Sequence, residues 1–443
     1  MKYQILTFGC QMNVSDSIWL EQALNAQGHV VAEQEDEAEF FIVNTCSVRE
    51  KPEQKVYSLL GRLRDQYERN PAVFVCVGGC VAQQVGTGFL ERFPFVRLVF
   101  GPDGLVMVPS ALQRLLDHDK LKLSLLDFSE HYPQRDNYLP DTLPPQAYVN
   151  IMQGCNNFCA YCIVPYTRGR QKSRAAQDIV QECQELIARG VKEITLLGQN
   201  VNSYGQDNHA EDVTFAQLLE LIDALPGLKR LRFTTSHPKD MSSDVINSFK
   251  SLHNLCPSLH LPLQSGSDNI LKAMGRKYNQ KQYLNLIDML REACPDITMT
   301  TDLMVGFPGE TDGDFQDTLH VMNRVGFDSS FSFKYSDRPG VRSAQMEPKI
   351  SEAVKTERLQ ILQKLQEDWT LKKLQSRIGR KDEILIEGLS KKQAPEAVFW
   401  KGRDSGGRVV NILFNTSEDQ TGRIVEVIFT RAKKHSLEGE ALL

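Results

Sequence analysis

No stretch of the chain reaches the ~18 consecutive apolar residues that a membrane helix requires, so a helical membrane-spanning class is excluded by pattern. The opening MKYQILTFGC is too short and too polar at its edges for a secretory signal, and a soluble, cytoplasmic protein is expected. Positive charge is also in short supply. There are 51 Lys and Arg against 56 Asp and Glu, a net charge of −5, which argues against bulk attraction to nucleic acid. Apolar residues are not scarce: at 41% hydrophobic and 24% charged, the composition excludes wholesale disorder. The 443 residues exceed what one core holds and suggest roughly two to four domains. The charge is unevenly placed. Leu371 to Leu443 carries 14 Lys and Arg against 10 Asp and Glu, so +4, and the remainder carries −9. A basic tail on an acidic chain hints at an anionic partner for the tail.

The ten cysteines are 10, 46, 76, 80, 155, 159, 162, 183, 256 and 294. In a cytoplasmic protein they are not expected to form structural disulfides, and a tight cluster of them points to metal or redox chemistry. Gly154 to Arg170 reads GCNNFCAYCIVPYTRGR, with cysteines spaced C-x3-C-x2-C. A closed structural zinc site needs four ligands, and no fourth Cys or His lies nearby. Iron–sulfur clusters are usually held by four thiolates. With three, one iron of a four-iron cluster stays open to an outside chelating molecule.

The first ~115 residues read as an α/β unit, with strands at YQILTF, FFIVNTC and VFVCVGGC and a helix from about Asp16 to Gln27. Cys10, Cys46 and Cys80 each follow a strand-like run. Because ligands gather at the carboxyl ends of parallel strands, the three could converge despite 35 and 33 intervening residues. A polar, proline-bearing stretch, HYPQRDNYLPDTLPPQ (131–146), reads as a linker. Six strand candidates follow, alternating with helices: YVNIMQ (148–153), EITLLG (193–198), LRFTTS (231–236), LHLPLQ (259–264), MTTDLMVG (299–306) and SSFSFKYS (329–336). Six βα units suggest a parallel sheet curled into a partial barrel, two units short of eight, before a long polar helix from about Ser351 to Ser376. The last ~65 residues offer short strands at DEILIEG, RVVNILFN and GRIVEVIFTRA, the pattern of a small β-barrel of the kind that binds oligonucleotides.

The cysteine loop, with Tyr161 before its last cysteine, resembles the signature of the radical S-adenosylmethionine (SAM) superfamily. The motifs TFGCQMNVSDS, VNTCSVRE, GGCVAQ, LLGQNVNSYG, TTSHP, HLPLQSGSDNIL, MGRKY and DLMVGFPGET, in that order around it, are similar to those of the methylthiotransferases over nearly the whole chain. The C-terminal part resembles their TRAM domain. The resemblance implies an α/β fold in three parts: an N-terminal open parallel α/β domain (1–117), a linker (118–143), a central partial (β/α)6 radical SAM barrel (144–372) and a small TRAM β-barrel (373–443). GCQMN and NTCSVRE resemble the branch that adds a methylthio group to C2 of N6-isopentenyladenosine 37 in tRNA.

That resemblance implies two [4Fe–4S] clusters and SAM. Cys155, Cys159 and Cys162 would hold the cluster that cleaves SAM. Cys10, Cys46 and Cys80 would hold an auxiliary cluster carrying the sulfur to be transferred. Cys76 rivals Cys80, but Cys80 follows Gly78 and Gly79 at the strand end, whereas Cys76 lies inside an apolar run. Cys183, Cys256 and Cys294 are read as structural. Strand-end placement points to Gly198, Gln199, Asn200, Ser236, His237, Gln264, Ser265 and Gly306, with Tyr161, for SAM. Arg168, Arg170, Lys172 and Arg174 after the cluster loop, and Lys391, Lys392, Lys401, Arg403 and Arg408 in the tail, are expected to meet tRNA phosphates, although one or two of the first four could instead contact the SAM carboxylate or stabilise the cluster's charge. An electron donor such as flavodoxin or ferredoxin and a sulfur source are implied partners, with no membrane. Two rivals fit parts of the pattern. One is a sister methylthiotransferase acting on threonylcarbamoyl-adenosine 37 or a ribosomal-protein aspartate. The other is a non-catalytic iron–sulfur RNA-binding redox sensor, which would not explain two three-cysteine sets.

Overall fold

The computed structural model describes residues 1–46, 50–136, 138, 140, 142–207, 213–393, 397–416 and 418–442, with backbone alone at 50–53. Residues 47–49 of the NTCSVRE motif lie outside the described residues, as do parts of the expected linker. Among the described residues no helix is long and apolar enough to cross a membrane.

The N-terminal body is a six-stranded parallel sheet. Its strands are β1 (Lys2–Phe8), β2 (Val30–Val31), β3 (Phe40–Thr45), β4 (Phe74–Gly79), β5 (Val96–Phe100) and β6 (Leu123–Leu125), in the order β2-β1-β3-β4-β5-β6. Every residue of β3 and β4 is buried, as expected of central parallel strands covered on both faces. Two apolar clusters, one on each side of the sheet, pack against its helices. The sequence reading missed β2, β5 and β6. The last of these corrects the linker boundary. Leu123–Leu125, inside 118–143, pairs with β5, and Gln83 Nε2 donates to Leu126 O at 2.7 Å to hold the following residues to the sheet. A helix, Gln11–Ala26, starts immediately after Cys10, five residues before the expected Asp16.

The central body contains β7 (Gln146–Asn150), a short hairpin of β8 (Met152–Gln153) and β9 (Lys172–Ser173), then β10 (Glu193–Leu197), β11 (Arg230–Thr234), β12 (Ser258–His260), β13 (Thr298–Val305) and β14 (Ser329–Lys334). The six expected βα strands form two parallel triplets, β7-β10-β11 and β12-β13-β14, joined by a bridge between Leu231 and Leu255. One continuous apolar core fills the curled sheet and its outer helices. The helix Glu352–Gln375 closes the β14 edge, where Gln366 Nε2 donates to Phe327 O and Thr370 Oγ1 to Asp328 O.

The C-terminal body is a closed five-stranded barrel of β15 (Lys381–Leu389), β16 (Phe399–Arg403), β17 (Val409–Leu413), β18 (Ile424–Ala432) and β19 (Leu437–Ala441), in the order β15-β16-β17-β19-β18. It docks on the end of the central barrel where the strands begin. Arg230, the first residue of β11, donates to Arg403 O at 2.8 Å and to Glu383 O at 2.6 Å. Arg408 pairs with Asp328, just before β14, at 3.0 Å. Gln146, the first residue of β7, donates to Glu387 at 3.2 Å.

Candidate active site at the interface of two cysteine sets

In the N-terminal sheet the register aligns Phe8 with Thr45 and Thr45 with Gly79, so Cys10, Cys46 and Cys80 leave one edge side by side. Side chains are excluded where these loops meet. A Cβ on Gly9 (φ +138°) would collide with Cys46, and one on Gly79 (φ +86°) with the Thr45 carbonyl. Two fully buried asparagines tie the edge together. Asn13 Oδ1 accepts from the Cys10 N–H at 3.4 Å, and Asn13 Nδ2 donates to Asn44 Oδ1 at 3.0 Å. Asn44 Nδ2 donates back to Asn13 O and to Ser17 Oγ, both at 3.0 Å. The Cys46 thiol hydrogen-bonds to Cys10 and to Cys80, which raises Cys46 well above the ordinary thiol range and lowers the other two. Arg168 adds to the lowering at both. Cys76 points instead into the apolar cluster with Phe40, Leu98 and Phe100, and burial raises its pKa.

The second set lies on the loop clamped by the β8–β9 hairpin, in which Gln153 pairs with Lys172. The Cys155 N–H donates to Gly169 O at 3.3 Å and the Cys162 N–H to Cys159 O at 3.0 Å, folding the loop on itself. Cys155 and Cys159 are buried and Cys162 partly so. Burial pushes the Cys155 thiol up and Cys162 up to about 12, so binding a metal there must supply the positive charge that keeps them as thiolates. Buried Arg276, unremarked within MGRKY, donates through Nη1 to Cys159 Sγ at 3.6 Å and is fixed by Pro262 O and the Tyr278 hydroxyl. Among the described residues no three His, Cys, Asp or Glu side chains are set to hold a single metal ion. A cluster asks for something else: thiolates spread around a cube of iron and sulfide, which three cysteines on one loop or one sheet edge can supply.

Beside the loop, the carboxyl ends of three strands present buried polar atoms without a protein partner: Asn200 Oδ1, Thr235 Oγ1, Ser236 Oγ, His237 Nε2 and Gln264 Oε1. Buried polar atoms are nearly always satisfied, so five orphans at strand ends fit a polar small molecule that binds there. Burial lowers the His237 pKa and keeps the ring neutral. Gln264 holds a left-handed φ of +69°, which a non-glycine residue adopts only under constraint. Gln199 accepts from the Gly154 N–H at 2.5 Å and donates to Met12 Sδ, so it ties the cluster loop to the N-terminal body.

Four of the residues expected at SAM also make contacts within the protein. Ser265 turns away, its Oγ accepting from the Ser267 N–H and lying near Thr318 of the helix Asp312–Val325. The Gly306 N–H is taken by Glu310 Oε2 at 2.7 Å, and its Cα faces Lys355. Gly198 is there for packing, since a Cβ would strike Met152. The Tyr161 ring packs on the apolar cluster of Ala160, Met274 and Phe307.

The basic run is corrected more sharply. Arg168 is not on a rim. It is buried between the two bodies, with Nε donating to Cys80 Sγ at 3.3 Å, Nη1 to Met12 Sδ at 3.8 Å and Nη2 to Asp16 at 3.5 Å. Burial works against its charge, yet Cys80, Asp16 and Cys10 outweigh that and raise its pKa. Lys172 is buried against Asp103 at 2.6 Å, and Arg174 pairs with Glu182 at 2.6 Å. Arg170 alone of the four is exposed. In the tail, Arg408 is spent on Asp328 and Asp404, Lys401 and Arg403 share Glu387, and Lys392 pairs with Glu438. Lys391 is exposed and has no ion pair among the described residues.

A three-cysteine loop after the first strand of a six-stranded partial barrel, beside unsatisfied strand-end polar groups, defines a radical SAM enzyme. The Radical SAM superfamily model matches residues 149–322, the uncharacterized protein family UPF0004 residues 2–101 and the TRAM domain residues 375–442. The fold is shared with the radical S-adenosylmethionine methyltransferase TsrM of Kitasatospora setae (TM-score 0.57, 14% identity, 77% of each chain). It is shared also with the cobalamin-dependent radical enzyme OxsB (TM-score 0.52, 12% identity, 83% of this chain and 56% of that one). The chain belongs to the methylthiotransferase family of the radical SAM superfamily. It is similar to the tRNA-2-methylthio-N(6)-dimethylallyladenosine synthases of Nitratidesulfovibrio vulgaris (57% identical over 439 residues, 99% of this chain and 98% of that one) and Oleidesulfovibrio alaskensis (52% over 454 residues, 99% and 98%). The corresponding synthase of Syntrophus aciditrophicus is 44% identical over 442 residues, covering 99% and 94%. Membership brings a [4Fe–4S] cluster and SAM as cofactors.

Proposed function

We propose that this protein adds a methylthio group to C2 of N6-isopentenyladenosine 37 in tRNA, in the cytoplasm, drawing electrons from a donor such as flavodoxin or ferredoxin and sulfur from a separate source. The observation that carries the reading is the meeting of two incomplete cysteine sets across one domain interface, with Arg168 reaching from the loop of one to Cys80 of the other. Cys155, Cys159 and Cys162 would hold one [4Fe–4S] cluster, and Cys10, Cys46 and Cys80 a second. Bound there, the clusters and SAM supply one-electron chemistry and transferable sulfur. The chain's own residues do the rest. Asn200, Ser236, His237 and Gln264 orient SAM with the polar atoms they leave unpaired. Asn13 and Asn44 fix the ligand loops of the sheet edge, and the buried Lys172–Asp103 and Arg168–Asp16 pairs hold both bodies in line and shut water out between them.

The test is mass spectrometry of tRNA nucleosides after anaerobic incubation with SAM and a reductant. Wild-type protein is expected to yield the methylthiolated nucleoside. Cys155→Ala is expected to lose reductive SAM cleavage, and Cys80→Ala to retain cleavage but form no methylthio product. A wild-type protein that leaves isopentenylated tRNA unchanged, while modifying threonylcarbamoyl-adenosine or a protein, would reject this substrate.

A further inference from the structure

Among the described residues five aromatic side chains are exposed: Phe128, Tyr148, Phe158, Tyr166 and Phe331. Three of these gather at the cluster loop. Phe158 lies one residue before Cys159 and meets Tyr166 edge to face, with ring centroids 6.4 Å apart. Phe128 lies over Gly169, one residue before Arg170. The Arg170 guanidinium sits 5.0 Å from the centroid of Phe158. Single exposed aromatics are ordinary on a protein surface; three with a cation around one loop are not.

The backbone supplies a second, independent observation. Phe158 holds φ at +49° and Gln264 at +69°, the two left-handed non-glycine residues among those described. A phenylalanine in that region is a conformational outlier, and such outliers persist where the surroundings enforce them and cluster at functional sites. Here the strained residue keeps an apolar ring more than a third exposed, at 39%. Charge points to the partner. Beside the same loop Arg342 is exposed, its Nη2 next to Gly275, where the Phe158 carbonyl also lies, and Lys277 is exposed two residues further on.

Exposed aromatic faces interleaved with cations that form no ion pair among the described residues are what unstacked nucleobases and their phosphates require. We propose that Phe128, Phe158 and Tyr166, with Arg170, form a stacking platform that receives the unpaired bases flanking the target adenine in a single-stranded RNA loop. The platform rests on the RNA-modifying reading above and adds to it the means by which the loop is splayed open. Aromatic stacking tolerates any base, so the platform recognises an open loop and not a sequence, while duplex RNA offers it no faces.

The experiment is fluorescence anisotropy on the full-length protein, anaerobically reconstituted, with a labelled RNA hairpin bearing an anticodon-type loop and a blunt RNA duplex of matched charge. Tyr166→Leu and Phe158→Leu are each expected to weaken hairpin binding about 5- to 150-fold, the range for one lost base stack, without a matching change for the duplex. Tyr166→Phe and Phe158→Tyr are expected to restore it. Tyr166→Leu should leave the slope of affinity against salt unchanged, whereas Arg170→Gln should reduce it by about one counterion. Iron content identifies a Phe158 variant that has disturbed its neighbouring cysteine, and Tyr166, outside the cysteine spacing, then decides. Wild-type protein that binds no hairpin defeats the RNA reading and the platform with it. Wild-type protein that binds the hairpin, alongside leucine variants that bind it equally well, defeats the platform alone.

Discussion

Arg168 shows how one residue can be visible in a sequence and still be misread. Its neighbourhood is basic, and basic runs face solvent or phosphate more often than not, so the string suggested a rim. The fold puts it under that rim, where its fork is divided between a thiol and a carboxylate. Nothing in TRGR encodes this, because the partners Cys80 and Asp16 lie 88 and 152 residues away. The cysteines were legible for the opposite reason: Cys155, Cys159 and Cys162 are closely spaced, a pattern with few other uses, and a strand before each of Cys10, Cys46 and Cys80 sets a common edge. Arg168→Met should leave Asp16 paired with Arg135 at 2.7 Å, so the variant is expected to fold. A positive charge beside a cluster favours its more negative, reduced state. The midpoint potential of the second cluster proposed for Cys10, Cys46 and Cys80, read by electron paramagnetic resonance in a Cys155→Ala background, is therefore expected to fall in Arg168→Met. It should recover in Arg168→Lys, which keeps the charge. An unchanged potential would leave Arg168 with only a packing role.

At the scale of elements, the two-residue strands β8 and β9 do work that propensity could not forecast. They are too short to carry a periodic signal, yet they close the base of the cluster loop and present Lys172 to the N-terminal body. Lys172 Nζ meets both Asp103 oxygens, at 2.7 and 2.6 Å, and Gln153 donates to the same carboxylate at 2.5 Å. A buried pair of this kind is weak evidence of stability when intact, but removing one partner strands the other charge. Asp103→Asn is expected to cost about 3–5 kcal/mol, seen as a lower midpoint in chemical denaturation, whereas the same change at the exposed Asp288 should cost about 1 kcal/mol or less. Equal effects at the two sites would mean that the interface tolerates an unpaired lysine. The β6 strand was missed for a related reason. Its three residues lie in the alternating run LKLSL, too short to stand out beside the longer strands, and pair with the edge of β5.

The order of the three bodies was legible from hydrophobic periodicity and from the turn-rich tail, but their mutual placement was not, since it rests on pairs such as Arg230 with Glu383 and Arg408 with Asp328. Those pairs put the small barrel at the beginnings of the central strands, while the cysteine loop and the orphaned polar atoms sit at their ends. The longest of the central strands, β13, has eight residues, so about 26 Å of sheet separates the two ends. Four of the five tail cations expected to meet RNA are already engaged by Glu387, Glu438 or Asp328, which leaves Lys391 as the better candidate for an RNA phosphate. Lys391→Glu is therefore expected to weaken binding of an RNA hairpin with a long stem several-fold. It should leave unchanged the binding of a hairpin whose stem is too short to span the barrel, measured at the same salt. If both hairpins weaken alike, the small barrel touches RNA close to the reacting base and the separation has no bearing on recognition. If Lys391 meets the stem, the two contacts lie at opposite ends of a stiff sheet and set a minimum reach. A stem too short to span it then forfeits one contact and binds more weakly, even when every nucleotide of its loop is correct.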